Sequence, residues 1–284
     1  MKLVYQDLIN YLHEKPSKDC LSEKLFQLGH EHVINKNIFE FELTPNRGDC
    51  LSLIGLSRDL CNFFGENKSV EIYEDEIEEL NINFKNLSPK DCPKISFLEI
   101  EIENNNIKYE PYLENYFKRL GINKTNFFAD ISNYISYELG QPTHCFDRNK
   151  LDGELIFENK KCNNIFNTLL GSEISLKDHN CVFLSSGEIL SLAGVMGGKS
   201  TACSTQTKKA LIECAYFNPE SIIGKTIKYN LTSEAAHKFE RGVDIQSQEN
   251  TLRRFIKIVQ DHTKIKTIRF KTFATNEYKY SFIP

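Results

Sequence analysis

His144, Glu213 and the glycines around Gly197 are the residues of this sequence best equipped for chemistry. His144 follows the turn formers Gly140, Gln141 and Pro142, with Ser132 and Asn133 about ten residues upstream. An imidazole changes charge near neutral pH, so it can serve as an acid, a base or a holder of water. Asp147, three residues on, is expected to orient the ring. Cys145 adjoins His144, but neighbours on a chain rarely face each other, so a thiol nucleophile is not expected. Glu213 interrupts the apolar run Leu211–Phe217. Burying a carboxylate without a partner is costly, so it calls for a donor, either a protein cation or a ligand hydroxyl. Gly194, Gly197 and Gly198 let a backbone approach a ligand closely and offer its N–H groups to an oxyanion or a ribose phosphate. They serve equally as a tight turn between strands. No Gly-Lys-Ser/Thr follows and the spacing is not that of a dinucleotide loop, which excludes a nucleotide-triphosphate site. Ser233 before Glu234 is a helix cap or a hydroxyl facing the same pocket. The cluster Thr44–Asp49 is a turn and cap, or a docking point through Arg47.

These residues need elements to hold them. Leu21, Leu25 and Leu28 form one helix face that Gly29 stops. Phe39–Leu43 alternates as a strand, and Asp49 is the expected N-cap of a helix carrying Leu53, Leu56, Leu60 and Phe63, ended by Gly65. The acidic stretch Glu71–Glu79 reads as a linker or exposed segment. Ile95–Ile102 is a strand. Pro111 opens a helix that Gly121 stops, and a second helix runs from Thr125 to Leu139. Leu155–Phe157, Val182–Leu184 and Ile189–Leu192 imply further strands, and the chain from Asn218 is helical in pieces, ending near Gln248–Val259. The mix is α+β, without regular strand–helix alternation.

Composition narrows the classes. The chain has 284 residues, 26% of them charged, with a net charge of −4. That balance argues against coating nucleic acid by bulk attraction. The basic residues Arg253, Arg254, Lys257, Lys264, Lys266, Arg269, Lys271 and Lys279 read as a solvated face or as a phosphate-contacting edge. Nine cysteines, an odd number with no C-x-x-C pair, read as reduced thiols rather than a zinc site. His30-x-His32 has no third ligand beside it and reads as a surface loop. No metal is expected, and no apolar run approaches the ~18 residues of a membrane span. The polar start lacks a secretory signal, so the expected location is cytoplasmic. The end, Tyr278–Pro284, alternates like a strand.

Taken in order, these clusters resemble the beta subunit of bacterial-type phenylalanine–tRNA ligase over nearly the whole chain. Leu43–Arg58 is similar to that family's first module. Asp130–Tyr134, Glu138–Asp147, Ala193–Gly198, Leu211–Phe217 and Phe239–Asp244 are similar to its editing module. The resemblance implies a small, mostly helical N-terminal docking module (1–65), an acidic linker (66–92) and a mixed α/β-sandwich editing core (93–284). It implies an alpha2-beta2 enzyme, with the alpha subunit and the acceptor end of tRNA(Phe) as partners, and neither a membrane nor DNA. ATP and Mg2+ would serve the whole enzyme and no cofactor this segment. The implied local reaction is hydrolysis of tyrosine wrongly esterified to tRNA(Phe).

By position, His144, Glu213 and Ser233 match catalytic residues, and Ser132, Asn133, Gly197, Gly198 and Ala235 match substrate-binding ones. Glu213 would read the tyrosine hydroxyl, a polar discrimination that can reach roughly 10⁴-fold. His144 would orient a water or the terminal ribose, and backbone amides would support the oxyanion. Ser stands for the family's Thr at 132 and 233, which removes a rotamer-stiffening methyl. Ala236 and Lys238 stand where Ser and Arg are common. The family's inserted OB-fold is absent, because Leu28–Val33 runs almost directly into Phe39–Leu43. Two other readings are a scaffolding module with a decayed pocket and a stand-alone trans-editing deacylase. The end at Tyr278–Pro284 is expected to be a hand-over to a following module, so that the length marks where the sequence was cut. No class II ATP-binding motif is present. The isolated chain is therefore expected to catalyse no pyrophosphate exchange into ATP, and measurable exchange would refute this.

Overall fold

The computed structural model describes residues 1–66 and 68–275; the Tyr278–Pro284 expectation and Lys279 lie outside them. Strand β1 (Lys2–Val4) leads into α1 (Tyr5–Asn10) and α2 (Lys18–Gln27), followed by the hairpin β2 (Glu31–Asn35) and β3 (Ile38–Glu42), and then α3 (Leu53–Phe64). The first module thus also contains a three-stranded sheet in the order β1-β3-β2. Leu3 pairs with Phe39 and His32 with Phe41, so these short strands line up their apolar residues against α1–α3. Ser52, not Asp49, caps α3, its hydroxyl accepting from the Gly55 N–H. Asp49 lies in a short 3-10 turn and instead takes the guanidinium of Arg47, with Nε 3.0 Å from Oδ1. Phe64 is the buried aromatic of the last turn, whereas the predicted Phe63 is exposed.

The remainder forms two five-stranded sheets and a helical layer. In chain order come β4 (Glu78–Glu79), β5 (Phe84–Asn86), β6 (Lys94–Ile102), α4 (Pro111–Leu120), α5 (Phe127–Leu139), β7 (His144–Asp147), β8 (Leu155–Asn167), β9 (Glu173–Ser185), β10 (Glu188–Leu192), β11 (Met196–Gly197) and β12 (Lys209–Tyr216). Short helices α6 (Pro219–Ile222), α7 (Lys225–Tyr229) and α8 (Glu234–Phe239) precede α9 (Gln248–His262) and β13 (Ile265–Ala274). One sheet runs β4-β13-β6-β12-β7 and the other β11-β10-β9-β8-β5. The α+β expectation therefore holds. Within the described residues each strand read from the sequence forms, while β13 and the short strands β1, β4, β5, β7 and β11 went unread.

The alternation of β12 shows how the layers meet. Ala210, Ile212 and Cys214 join the core shared with α5, α9 and the first module. Leu211 and Ala215 join the core between the sheets. One strand is thus buried on both faces, because its side chains alternate.

The acidic stretch is exposed but docked. β4 pairs with β13, and Arg253 Nη1 donates to the Tyr73 and Asp75 carbonyls. The basic run that follows α8 is matched to carboxylates throughout its described part. Arg269 pairs with Glu78 and Glu99, Lys271 with Glu79, Lys266 with Glu101, Lys264 with Glu103, Lys257 with Asp261, Arg253 with Glu249 and Arg254 with Glu138. The exposed pairs contribute little each. Several of these side chains stay solvent-exposed, so this is a solvated, charge-paired face rather than a run of free cations.

The Arg254–Glu138 pair is different, because the carboxylate is fully buried. Tyr11 and Tyr134 hydroxyls donate to the same carboxylate at 2.5 and 3.0 Å, and Arg254 Nη1 donates to the Glu71 carbonyl. The network joins the first module, α5, α9 and the acidic stretch.

Arg47 does not dock the modules; it is held inside its own by Asp49 and Asp59. Docking runs through Gly48 and Leu51. A Cβ on Gly48 would lie 2.9 Å from the carbonyls of Arg241 and Gly242. Lys238, on α8, donates to the Leu51 carbonyl at 2.8 Å and the Ser136 carbonyl at 2.5 Å, with its pKa lowered by burial to about 8. His30 and His32 are also buried, contrary to the surface-loop expectation. The His32 ring lies 5.2 and 5.4 Å from those of Phe39 and Phe41, and His30 Nε2 is 2.9 Å from Asp59. His30, Cys50 and Asp59 approach one another, but Arg47 Nη2 already sits 2.6 Å from the thiol and 2.5 Å from the carboxylate. The cation there belongs to the chain itself. Gly48→Ala should lower stability by about 1–3 kcal/mol through overpacking at this junction, read by denaturant unfolding.

Candidate active site

Glu213 lies on the inter-sheet side of β12, between Leu211 and Ala215. The antiparallel register sets it directly opposite His144, the first residue of the edge strand β7. Strand parity then puts His144 and Phe146 on the inter-sheet side and Cys145 on the helix side. Accordingly Phe146 packs between the sheets, while the Cys145 thiol donates to the Phe128 carbonyl on α5 and burial holds its pKa high. The thiol faces away from His144. Asp147, an odd number of residues from His144, is likewise on the other face. It accepts from the Thr207 hydroxyl at 2.7 Å and the Asn149 N–H, and does not orient the imidazole.

Glu213 and His144 face a cavity of about 70 Å³. Its wall includes Val195, Met196 and Gly197 from the glycine loop, Pro142 and Thr143 ahead of β7, and Ala235, Phe217 and Phe239. The Phe217 and Phe239 rings meet edge to face at 5.0 Å. A Cβ on Gly197 would run into the His144 ring, so only glycine admits the imidazole here.

Both polar groups are unpartnered. Glu213 is 4% exposed and has no hydrogen bond or ion pair among the described residues. Burial alone pushes its pKa up to about 8. His144 Nε2 is sealed from water without a partner, and burial lowers the ring's pKa to about 4. At neutral pH the cavity thus presents a mostly protonated carboxyl and a neutral imidazole. A neutral imidazole has one donor and one acceptor nitrogen, which suits it to holding a hydroxyl or a water.

The other predicted site residues lie around this pair in different ways. Gly197 and Ala235 line the cavity. Ser132 does not; its hydroxyl donates to the Thr143 carbonyl at 2.6 Å and lies 2.5 Å from the Thr143 hydroxyl, so it secures a residue of the wall. Ser233 caps α8 through the Ala236 N–H and donates to the Val195 carbonyl at 2.6 Å, pinning the glycine loop. Asn133 is on the exposed side of α5 and away from the cavity lining. Gly198 donates its N–H to Leu190 and is not part of the wall. The Val195 N–H is spent on Leu192, so two of the loop's amides serve the backbone rather than a ligand. The sequence reading missed Thr143, Phe217, Phe239 and Gln141. Only Gln141, inside a Gly-Gln-Pro turn, carried a local signal.

The described fold and site define an α+β domain with a small inter-sheet pocket, and the B3/4 domain family matches residues 92–264; the chain belongs to that family. Among individual proteins, it is 33% identical over 234 residues to a phenylalanine–tRNA ligase beta subunit of Francisella tularensis, covering 80% of this chain. It is 32% identical over 232 residues to that of Fusobacterium nucleatum and 34% over 230 residues to that of Neisseria gonorrhoeae. The chain spans about 29% of the length of these curated relatives. A crystal structure of an N-terminal fragment of the phenylalanyl-tRNA synthetase beta-subunit from Pyrococcus horikoshii aligns at a TM-score of 0.45 and 13% identity, covering 95% of this chain and 75% of that one. Among the described residues no helix is long and apolar enough to cross a membrane.

Glu213 gives a stability test. Its folded pKa of about 8 lies above the ordinary 4.5. Between those values the folded state keeps the proton and the unfolded state loses it. Stability is therefore lost as pH rises through that window, by up to about 1.4 kcal/mol per unit. Glu213→Gln keeps the shape of the protonated acid without titrating. Thermal unfolding should show the variant gaining on the wild type between pH 5 and pH 8. A pH-independent difference would mean that Glu213 titrates outside this window.

Proposed function

We propose that this chain is part of a cytoplasmic phenylalanine–tRNA ligase beta subunit and that its cavity hydrolyses tyrosine wrongly attached to tRNA(Phe). The observation that carries this reading is a buried carboxyl with no partner among the described residues, facing an otherwise largely apolar pocket beside an imidazole that likewise has none among them. Such a carboxyl is costly when left alone and gains a bond when a ligand brings a hydroxyl. Tyrosine brings one. Phenylalanine, of nearly the same shape, leaves the carboxyl unpaired, and a site of this kind rejects the analogue lacking the hydroxyl strongly.

In this reading Glu213 accepts the tyrosine hydroxyl. Neutral His144, its ring packed on Gly197, holds the attacking water or the terminal ribose hydroxyl. Water attacks the ester carbon, the ribose oxygen leaves with a proton, and free tyrosine departs; no covalent enzyme intermediate is needed. Ser132 and Ser233 act by fixing Thr143 and Val195. A serine hydroxyl makes those bonds as a threonine would, so the two departures from the family pattern do not by themselves favour a decayed pocket. The wider assignment is an alpha2-beta2 enzyme in which an alpha subunit supplies the ATP- and Mg2+-dependent site and the tRNA acceptor end reaches this cavity.

The test is deacylation of Tyr-tRNA(Phe), both by this chain and by the enzyme assembled with an alpha subunit. Glu213→Ala is expected to slow clearance by ~10²-fold or more while sparing the charging of phenylalanine. Equal clearance by wild type and variant would overturn the role of Glu213. No clearance by either wild-type preparation would favour the scaffolding reading.

A further inference from the structure

The strand carrying His144 has a gap in its pairing at the edge of the candidate active site. His144 lies opposite Glu213 and Phe146 opposite Leu211. Continued two residues the other way, the same register sets Pro142 opposite Ala215. Proline has no N–H, so the Ala215 carbonyl loses the ladder donor that any other residue at 142 would offer. That carbonyl is not left bare. The side-chain amide of Gln141 donates to it at 3.0 Å and also donates to the Pro142 carbonyl at 3.0 Å. Its oxygen accepts from the Ser247 hydroxyl at 3.1 Å, just ahead of α9. Gln141 is 1% exposed, so an amide with fewer partners would be costly there.

We propose that Gln141 is a positioning residue of this site: its amide replaces the backbone N–H missing at Pro142 and holds the start of β7, with His144, against the strand that carries Glu213. Three details support this. Pro142 and Thr143 are themselves part of the cavity wall, so slack at this point opens the wall. β7 is the edge strand of its sheet, with β12 as its neighbour there. Ser132 grips the same turn from α5, at Thr143, so the segment is clamped from both sides just before His144. Gln141 does not itself line the cavity and acts only through the placement of the turn and strand.

For catalysis the inference rests on the editing reading; for geometry it stands apart from it. The variant is Gln141→Met, which keeps length and volume but has no donor. It is compared with Gln141→Met/Pro142→Ala, which gives residue 142 its own N–H. Hydrogen exchange needs no substrate. The His144 and Phe146 amides are expected to exchange ~10-fold or more faster in the single variant and to recover in the double, where the residue 142 N–H is itself protected. In Tyr-tRNA(Phe) deacylation, kcat should fall ~10–100-fold in the single variant with KM changed far less, because misplacement rather than lost contact is responsible. The double variant should regain most of it. Unchanged exchange in the single variant, or no recovery in the double, overturns the proposal. If the single variant does not fold, the double decides: a folded chain with a protected residue 142 N–H supports the proposal and an unfolded one overturns it. If wild-type chain clears no tyrosine, the editing reading has failed, and exchange alone decides the role of Gln141.

Discussion

Both faces of β12 are sealed, one by α5 and α9 and the other by the second sheet, so the side chains from Ala210 to Ala215 are buried. Apolar residues meet that demand at Ala210, Leu211, Ile212, Cys214 and Ala215. Glu213 does not. Its neighbours fix the backbone and the alternation fixes its direction, so the carboxyl points into the cavity, with no cation partner among the described residues. The fold tolerates this by leaving a small cavity at that point, and the candidate site follows from it. An unpartnered acid in the interior is an expense that packing alone would not retain.

The positions around the cavity are held by polar groups that never enter it. Ser132 and Gln141 secure the turn before His144, and Ser233 pins the glycine loop through the Val195 carbonyl. Gly197 packs directly on the imidazole. This division of labour keeps the wall rigid while Glu213 and His144 stay unsatisfied. A site whose own polar groups bonded to one another would have nothing left with which to recognise a ligand. The same economy extends outward. Lys238 and the Glu138–Arg254 network join the first module to the helices that back the sheet, so the module stiffens the layer on which the site strand lies.

Local patterns were read well where one element decides them. The helices ended by Gly29, Gly65, Gly121 and Gly140, the strands β6, β8, β9 and β10, and the α+β class all follow from spacing and punctuation. The readings that failed were those where two distant segments compete for the same group. Asp49 looked like a cap and is claimed by Arg47, leaving the cap to Ser52. The basic residues after α8 offered a phosphate-contacting edge as one reading and are matched by carboxylates from as far away as Glu78 and Glu79. His30 and His32 looked exposed because strand β2 is short and polar, yet Phe39 and Phe41 pack on the His32 ring and Asp59 holds His30.

The sequence by itself determined which residues are able to do chemistry. A lone glutamate in an apolar strand, a histidine after a Gly-Gln-Pro turn and a glycine-rich loop are visible in one dimension, because each is a local breach of pattern. Only the tertiary structure decided which of them meet. Register placed His144 opposite Glu213, and strand parity turned Cys145 and Asp147 away. The loop from β10 to β11 brought Gly197 over the imidazole, while Asn133 was left on the surface. The reason is physical: a breach of pattern is a property of one segment, whereas a site is made by pairing between segments far apart in the chain, whose register is set by the whole of both cores.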